Sequence, residues 1–105
     1  MAQNTAAVPE WLAALGDDDF PFIGRFVLAS GSLKALATEY GVSYPTVRAR
    51  LDRLIAKIQA AQDATVADPF ERRLCILMAD GKVTAAIARD LLEAHRDAQK
   101  GEKDR

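Results

Sequence analysis

The sequence predicts an all-α fold: a tri-helical helix-turn-helix core, with a short helix before it and a helical hairpin after it. Three observations predict this. No stretch alternates apolar and polar residues with β-branched enrichment, as a half-buried strand does. Apolar residues recur instead at spacings of three and four. Turn-forming residues at Gly16, Ser30-Gly31, Gly41 and Gly81 punctuate those runs where helices should stop.

Taken in order, Pro9 suits a first helical position, and Trp11, Leu12 and Leu15 share one face of a short helix ending at Gly16. The run Asp17-Asp18-Asp19 can cap the next helix, because carboxylates accept its free N–H groups and complement its dipole. Pro21 is tolerated in that first turn. Phe22, Ile23, Phe26 and Val27 then form its inward face, up to Ser30-Gly31. Ser32 caps a short helix, Leu33 to Tyr40, with Leu33, Leu36, Ala37 and Tyr40 inward, and Gly41 ends it in a left-handed conformation. Ser43 caps a long helix from Tyr44 to about Ala61, whose stripe is Val47, Leu51, Leu54 and Ile58. Asp68-Pro69 opens a helix with Phe70, Leu74, Leu77 and Met78 inward, ended by Ala79-Asp80-Gly81. Thr84 caps a last helix to about Lys100, with Ile87, Leu91 and Leu92 inward, before a polar tail from Gly101 to Arg105.

Composition narrows the function. The chain has 105 residues, half of them apolar and 28% charged, which is ordinary for a small globular protein with a modest core. A net charge of −1 excludes a uniformly basic nucleic-acid coat and a general electrostatic membrane binder. No apolar run approaches the ~20 residues that span a bilayer. Residues 1–15 contain no Lys or Arg ahead of their apolar part, so no secretory signal is expected and the expected compartment is the cytoplasm. Cys75 is the single cysteine, which excludes an intramolecular disulfide and a cysteine-based zinc site. Set among Leu74, Ile76 and Leu77, it reads as a small buried hydrophobe. His95, the single histidine, lies on a polar helix flank with no closed ligand set around it. Gly31-Ser32 and Gly81-Lys82 lack the rest of a phosphate loop. No catalytic residue, metal ligand or cofactor is expected, and an enzyme is not.

The near-neutral total hides an uneven distribution. Residues 1–20 carry four acids and no base, residues 21–62 carry six bases against two acids, and residues 63–105 carry eight bases against nine acids. The positive centre coincides with the segment that has helix-turn-helix spacing. A short helix can cross a longer one through a tight turn only with a small residue at the close approach, a residue of positive φ in the turn, and apolar residues pinning the pair. Counted from Leu33, Ala37 is fifth, Gly41 ninth, Val42 tenth and Val47 fifteenth, with Leu36 and Tyr40 at four and eight. All six fit.

The second helix of such a unit enters the DNA major groove with its N-terminal residues on base edges. Opposite its apolar stripe this helix presents Pro45, Thr46, Ala49, Asp52 and Arg53, with Arg48, Arg50 and Lys57 on the flanks and Ser43 and Tyr44 at its start. Ala49 permits close approach, Thr46 can donate or accept, and Arg48 is the candidate for bidentate contact to guanine O6 and N7. Arg50, Arg53, Lys57 and Lys34 are candidates for phosphates, and Ser32 completes the set. Tyr44 suits either a sugar or thymine-methyl contact or a half-buried cover over the turn. The partner these features imply is double-stranded DNA.

The phrases Ser30-Gly31-Ser32-Leu33-Lys34 and Gly41-Val42-Ser43-Tyr44-Pro45-Thr46-Val47-Arg48 are distinctive. The stretch Leu28 to Ile58 resembles a small bacterial helix-turn-helix family of unknown function, and the likeness reaches upstream to Pro9-Glu10-Trp11-Leu12 and the Phe22–Leu28 helix. Members of that family look like transcriptional regulators, often with an N-terminal zinc ribbon. No cysteine pair precedes Trp11 here, so the resemblance implies DNA binding without a metal.

The hairpin from Phe70 to His95 looks like short appended hairpins with a Glu-Gly-Lys-Ile-Thr type turn, known from bacterial regulators and membrane-associated proteins. Its apolar side chains exceed what two helices bury in each other, so it must cover the core or another chain. Helix-turn-helix readers commonly bind paired half-sites as dimers. The expectation is a DNA-binding domain over 1–62 and a hairpin over 68–100. A homodimer is expected through the hairpin and the extended end of the Tyr44–Ala61 helix. The alternative is a protein-interaction adaptor using the hairpin and the acidic N-terminus.

Overall fold

The computed structural model describes residues 8–103 and contains six helices: α1 (Glu10–Ala13), α2 (Asp19–Leu28), α3 (Leu33–Tyr40), α4 (Tyr44–Ala61), α5 (Pro69–Ala79) and α6 (Ala85–Lys103). Among the described residues there is no strand. The all-α, helix-turn-helix architecture follows the sequence patterning.

The caps form where short polar side chains precede apolar runs. Ser32 Oγ accepts from the Ala35 amide at 3.1 Å, Ser43 Oγ from Thr46 at 3.3 Å, and Thr84 Oγ1 from Ile87 at 3.1 Å. Gly41 takes φ +67°, which lets the Val42 amide reach back to the Ala37 carbonyl at 3.0 Å and close the end of α3. That closure turns the chain sharply enough for α4 to start two residues later. The aspartate run acts differently. Asp18 is the N-cap of α2 but makes no side-chain capping bond, and Asp19 is buried with a tertiary role. The first helix is a single turn, and Leu15 joins the core from beyond it.

The core is Leu15, Phe22, Leu33, Leu36, Ala37, Val47 and Leu54, flanked by Trp11, Ile23, Phe26, Leu51 and Ile58 among others. α4 is the axis of the fold: α3 and α1 pack on it, and α5 has its largest contact there. The C-terminal end of α4 is therefore covered within the chain. This corrects the expectation that it is free for a second subunit: Ala61 is buried and Ile58 packs on the core.

α6 runs along α5 and leaves the body of the protein. The radius of gyration is 17.4 Å, against about 13 Å for a compact chain of this size, and the extents are 58 × 42 × 20 Å. The inward face of α6 is Ala88, Leu92 and His95, not Ile87 and Leu91, which are 52% and 42% exposed. The small side chain of Ala88 lets α6 approach α5 closely. His95 is not on a free polar flank: its ring stacks on Phe70 at 4.3 Å between centroids, and Nε2 lies 2.7 Å from Asp68 Oδ2. Val27, Phe70 and Met78 are likewise more exposed than their spacing suggests.

Two glycine substitutions separate turn geometry from helix propensity. Gly41→Ala should cost about 1–2 kcal/mol, because only backbone strain is added; nothing lies within 4 Å of the new Cβ. Gly24→Ala, inside α2 and equally unobstructed, should gain about 0.5–1 kcal/mol. Thermal unfolding checks both, with about 4–8 °C per kcal/mol expected at this size.

Candidate nucleic-acid interface

The N-terminal half of α4 is exposed at Tyr44, Pro45, Thr46, Arg48, Ala49, Asp52 and Arg53, while Val47 and Leu54 are buried beneath it. The apolar stripe fixes the helix rotation, and the exposed face follows from it. Tyr44 is 52% exposed at the start of the helix, so about half of its surface is accessible there. Ser43 and Thr46 are committed to the cap, with their hydroxyl oxygens 2.9 Å apart. Ser32 caps α3 and Lys34 stands exposed in the first turn of that helix.

The basic residues separate into distinct environments. Arg48 Nε lies 3.2 Å from Asp52 Oδ1, an i,i+4 pair with both side chains more than half exposed. Arg50 lies across the Phe22 ring, its guanidinium carbon 4.9 Å from the centroid, and donates to the Asp18 carbonyl at 2.8 Å. It thereby fastens α4 to the start of α2. Among the described residues Arg53 and Lys34 have no ion-pair partner within 4 Å. Arg25 is exposed and paired with Glu39.

Lys57 is not a surface phosphate contact. It is 6% exposed, and its ammonium sits between Asp19 Oδ2 at 2.5 Å and Asp80 Oδ1 at 3.2 Å. Asp19 also accepts from the Gly16 amide at 2.8 Å, and Asp80 faces Lys82 at 3.2 Å. Burial by itself disfavours the ammonium, but the bonds to Asp19 and Asp80 outweigh it and hold the Lys57 pKa above its ordinary value. For Asp80, burial pushes upward and is outweighed by Lys57 and Lys82, so its carboxyl titrates below the usual range. The sequence contained a hint of this. Lys57 lies three residues after Leu54 and four before Ala61, on the apolar side of the helix. Asp19 and Asp80 gave no such hint.

With this geometry, comparison with known proteins is informative. Residues 15–61, somewhat less than half of the chain, match a family described as "Domain of unknown function (DUF2089)-HTH". That segment is similar to the helix-turn-helix domain of this family. It spans α2, α3 and α4, from Leu15 to Ala61, and includes Asp19 and Lys57 but not Asp80. No curated protein and no solved structure gives a significant match. Among the described residues no helix is long and apolar enough to cross a membrane.

Lys57→Met should destabilise the fold by about 3–5 kcal/mol, since it leaves the buried Asp19 carboxylate without its cation and Asp80 with Lys82 alone. Urea unfolding at neutral pH measures this. The pH dependence has a defined sign. Stability from the depressed Asp80 is present at neutral pH and lost as pH falls through its folded-state pKa. Stability from the raised Lys57 is lost only as pH rises through its own, above the ordinary lysine range. Unfolding free energy against pH should therefore hold a plateau at neutrality and fall at both extremes.

Proposed function

We propose that the protein is a sequence-specific binder of double-stranded DNA: a small, non-enzymatic transcriptional regulator of the cytoplasm that acts as a homodimer. One observation carries this reading. The end of α4 that a helix-turn-helix presents to the major groove is exposed, and the opposite end is covered by α5. A helical corner serving only as scaffold has no need to leave that end bare.

In this reading α4 enters the groove with Tyr44, Pro45 and Ala49 towards the bases. Arg48 reaches guanine O6 and N7 after exchanging Asp52 for the base edge. Arg53 and Lys34 hold phosphates, and Arg50 acts by positioning α4 on Phe22. The segment through residue 62 reads DNA and the hairpin over 68–100 sets the spacing of two readers. The hairpin carries Ile87, Leu91, Ala94 and Ala98 exposed on α6, spaced four, three and four. A second copy of the same helix satisfies that stripe through a two-fold axis, matching half-sites about 34 Å apart.

Selection from a random DNA pool should return a palindromic site. Arg53→Ala should lower affinity on all sequences and reduce the slope of log K against log salt by about 1, whereas Arg48→Ala should cost about 1–3 kcal/mol and relax preference at one base pair. Asp52→Ala releases Arg48 from its pair and should steepen the salt slope. Absence of duplex binding at low salt would favour an adaptor that uses the bare α6 face for a protein partner. Sedimentation at micromolar concentration should give a dimer that Leu91→Lys dissociates, and a chain-sized species of 11.4 kDa in the wild type would refute the dimer.

A further inference from the structure

Beside the reading helix lies a groove of about 630 Å³, formed by the start of α2, the turn between α3 and α4, and one side of α4. Its walls include Phe22, Tyr40, Val42 and Leu54, and Tyr40 and Val42 remain substantially exposed within it. DNA contact does not account for these apolar walls. The volume falls within the roughly 300–1,000 Å³ of small-molecule sites, and an apolar lining with a few placed charges is their usual composition.

The charges on the lining indicate what fits. Lys57 is spent on Asp19 and Asp80, and Arg50 on the Asp18 carbonyl and the Phe22 ring. Arg53 lines the groove with no ion-pair partner among the described residues. Asp18 lines it too, with no cationic side chain bonded to its carboxylate among the described residues, and disfavours a doubly charged anion.

We propose that this groove binds a small monoanion with an apolar body, an aromatic or branched aliphatic carboxylate, with Arg53 holding the anionic group and Tyr40 and Val42 the body. Pro45 and Ala49 border both the groove and the DNA-facing side of α4, so the occupant and a duplex compete. The competition rests on the DNA-binding reading; the binding itself does not.

The test uses the full chain without DNA and the aromatic sulfonate 1-anilinonaphthalene-8-sulfonate as probe. Fluorescence titration should give one site per chain, abolished by Ala49→Trp, which fills the groove, and weakened about tenfold by Arg53→Gln, which keeps the surface polar and the fold undisturbed. Phenylacetate should displace the dye and phenylethylamine should not. Dye binding that survives both substitutions is held on the α6 face or as an adventitious additive only, and overturns the proposal, as does equal displacement by the amine. In a second arm phenylacetate should weaken duplex binding. Undiminished DNA affinity with the dye site intact overturns the competition. Failure of the DNA reading shows differently, as no duplex binding at low salt with an unchanged dye titration, which supports the site.

Discussion

The placement of one ammonium group governs the rest of this structure. Lys57 is carried into the interior by the apolar stripe of α4, and a buried cation without partners is prohibitively costly. Asp19 comes to it from the start of α2 and Asp80 from the end of α5. Three segments far apart in sequence must converge for the charge to be tolerated. Such a triad contributes little net stability over an apolar replacement, but it penalises every arrangement in which one arm is missing. Its main effect is therefore to fix how the hairpin sits on the helix-turn-helix unit.

The same arrangement changes the meaning of the positive central segment. Six bases lie between residues 21 and 62. One is buried in the triad, one is packed on Phe22, and two are paired with nearby carboxylates. Lys34 and Arg53 are left as the unpaired cations of that stretch among the described residues. The field presented to a polyanion is thus weaker than the residue count implies, and it rests on Lys34 near the start of α3 and Arg53 midway along α4. If the segment reads DNA as proposed, it depends on shape and base contacts more than on a broad basic surface.

Local chemistry made most of the fold legible. Ser32, Ser43 and Thr84 accept the first free amides of their helices, Gly41 takes the left-handed turn, and Val47 and Leu54 set the rotation of α4. These effects act within a few residues, so spacing encodes them. The rotation of α6 was not legible, because that helix has two apolar faces and spacing alone does not rank them. Ala88 wins by its small size, leaving the larger Ile87 and Leu91 outside. The fates of Arg50 and Lys57 were hidden for a related reason. Each depends on a partner on another helix, and a long basic side chain reads from sequence as surface until that partner is located. The exposed candidate residues at the start of α4 could be nominated because they lie opposite a stripe that could be read.

The boundary of the family match falls at Ala61, on the near side of the contact that α5 makes with α4. The autonomy of the matched segment is limited accordingly. Excised there, α4 would lose the cover over its last turns, and its interior lysine would retain Asp19 while losing Asp80. What flanks this segment is thus part of its folding unit, and the lysine at its interior would then lean on a single carboxylate from its own unit.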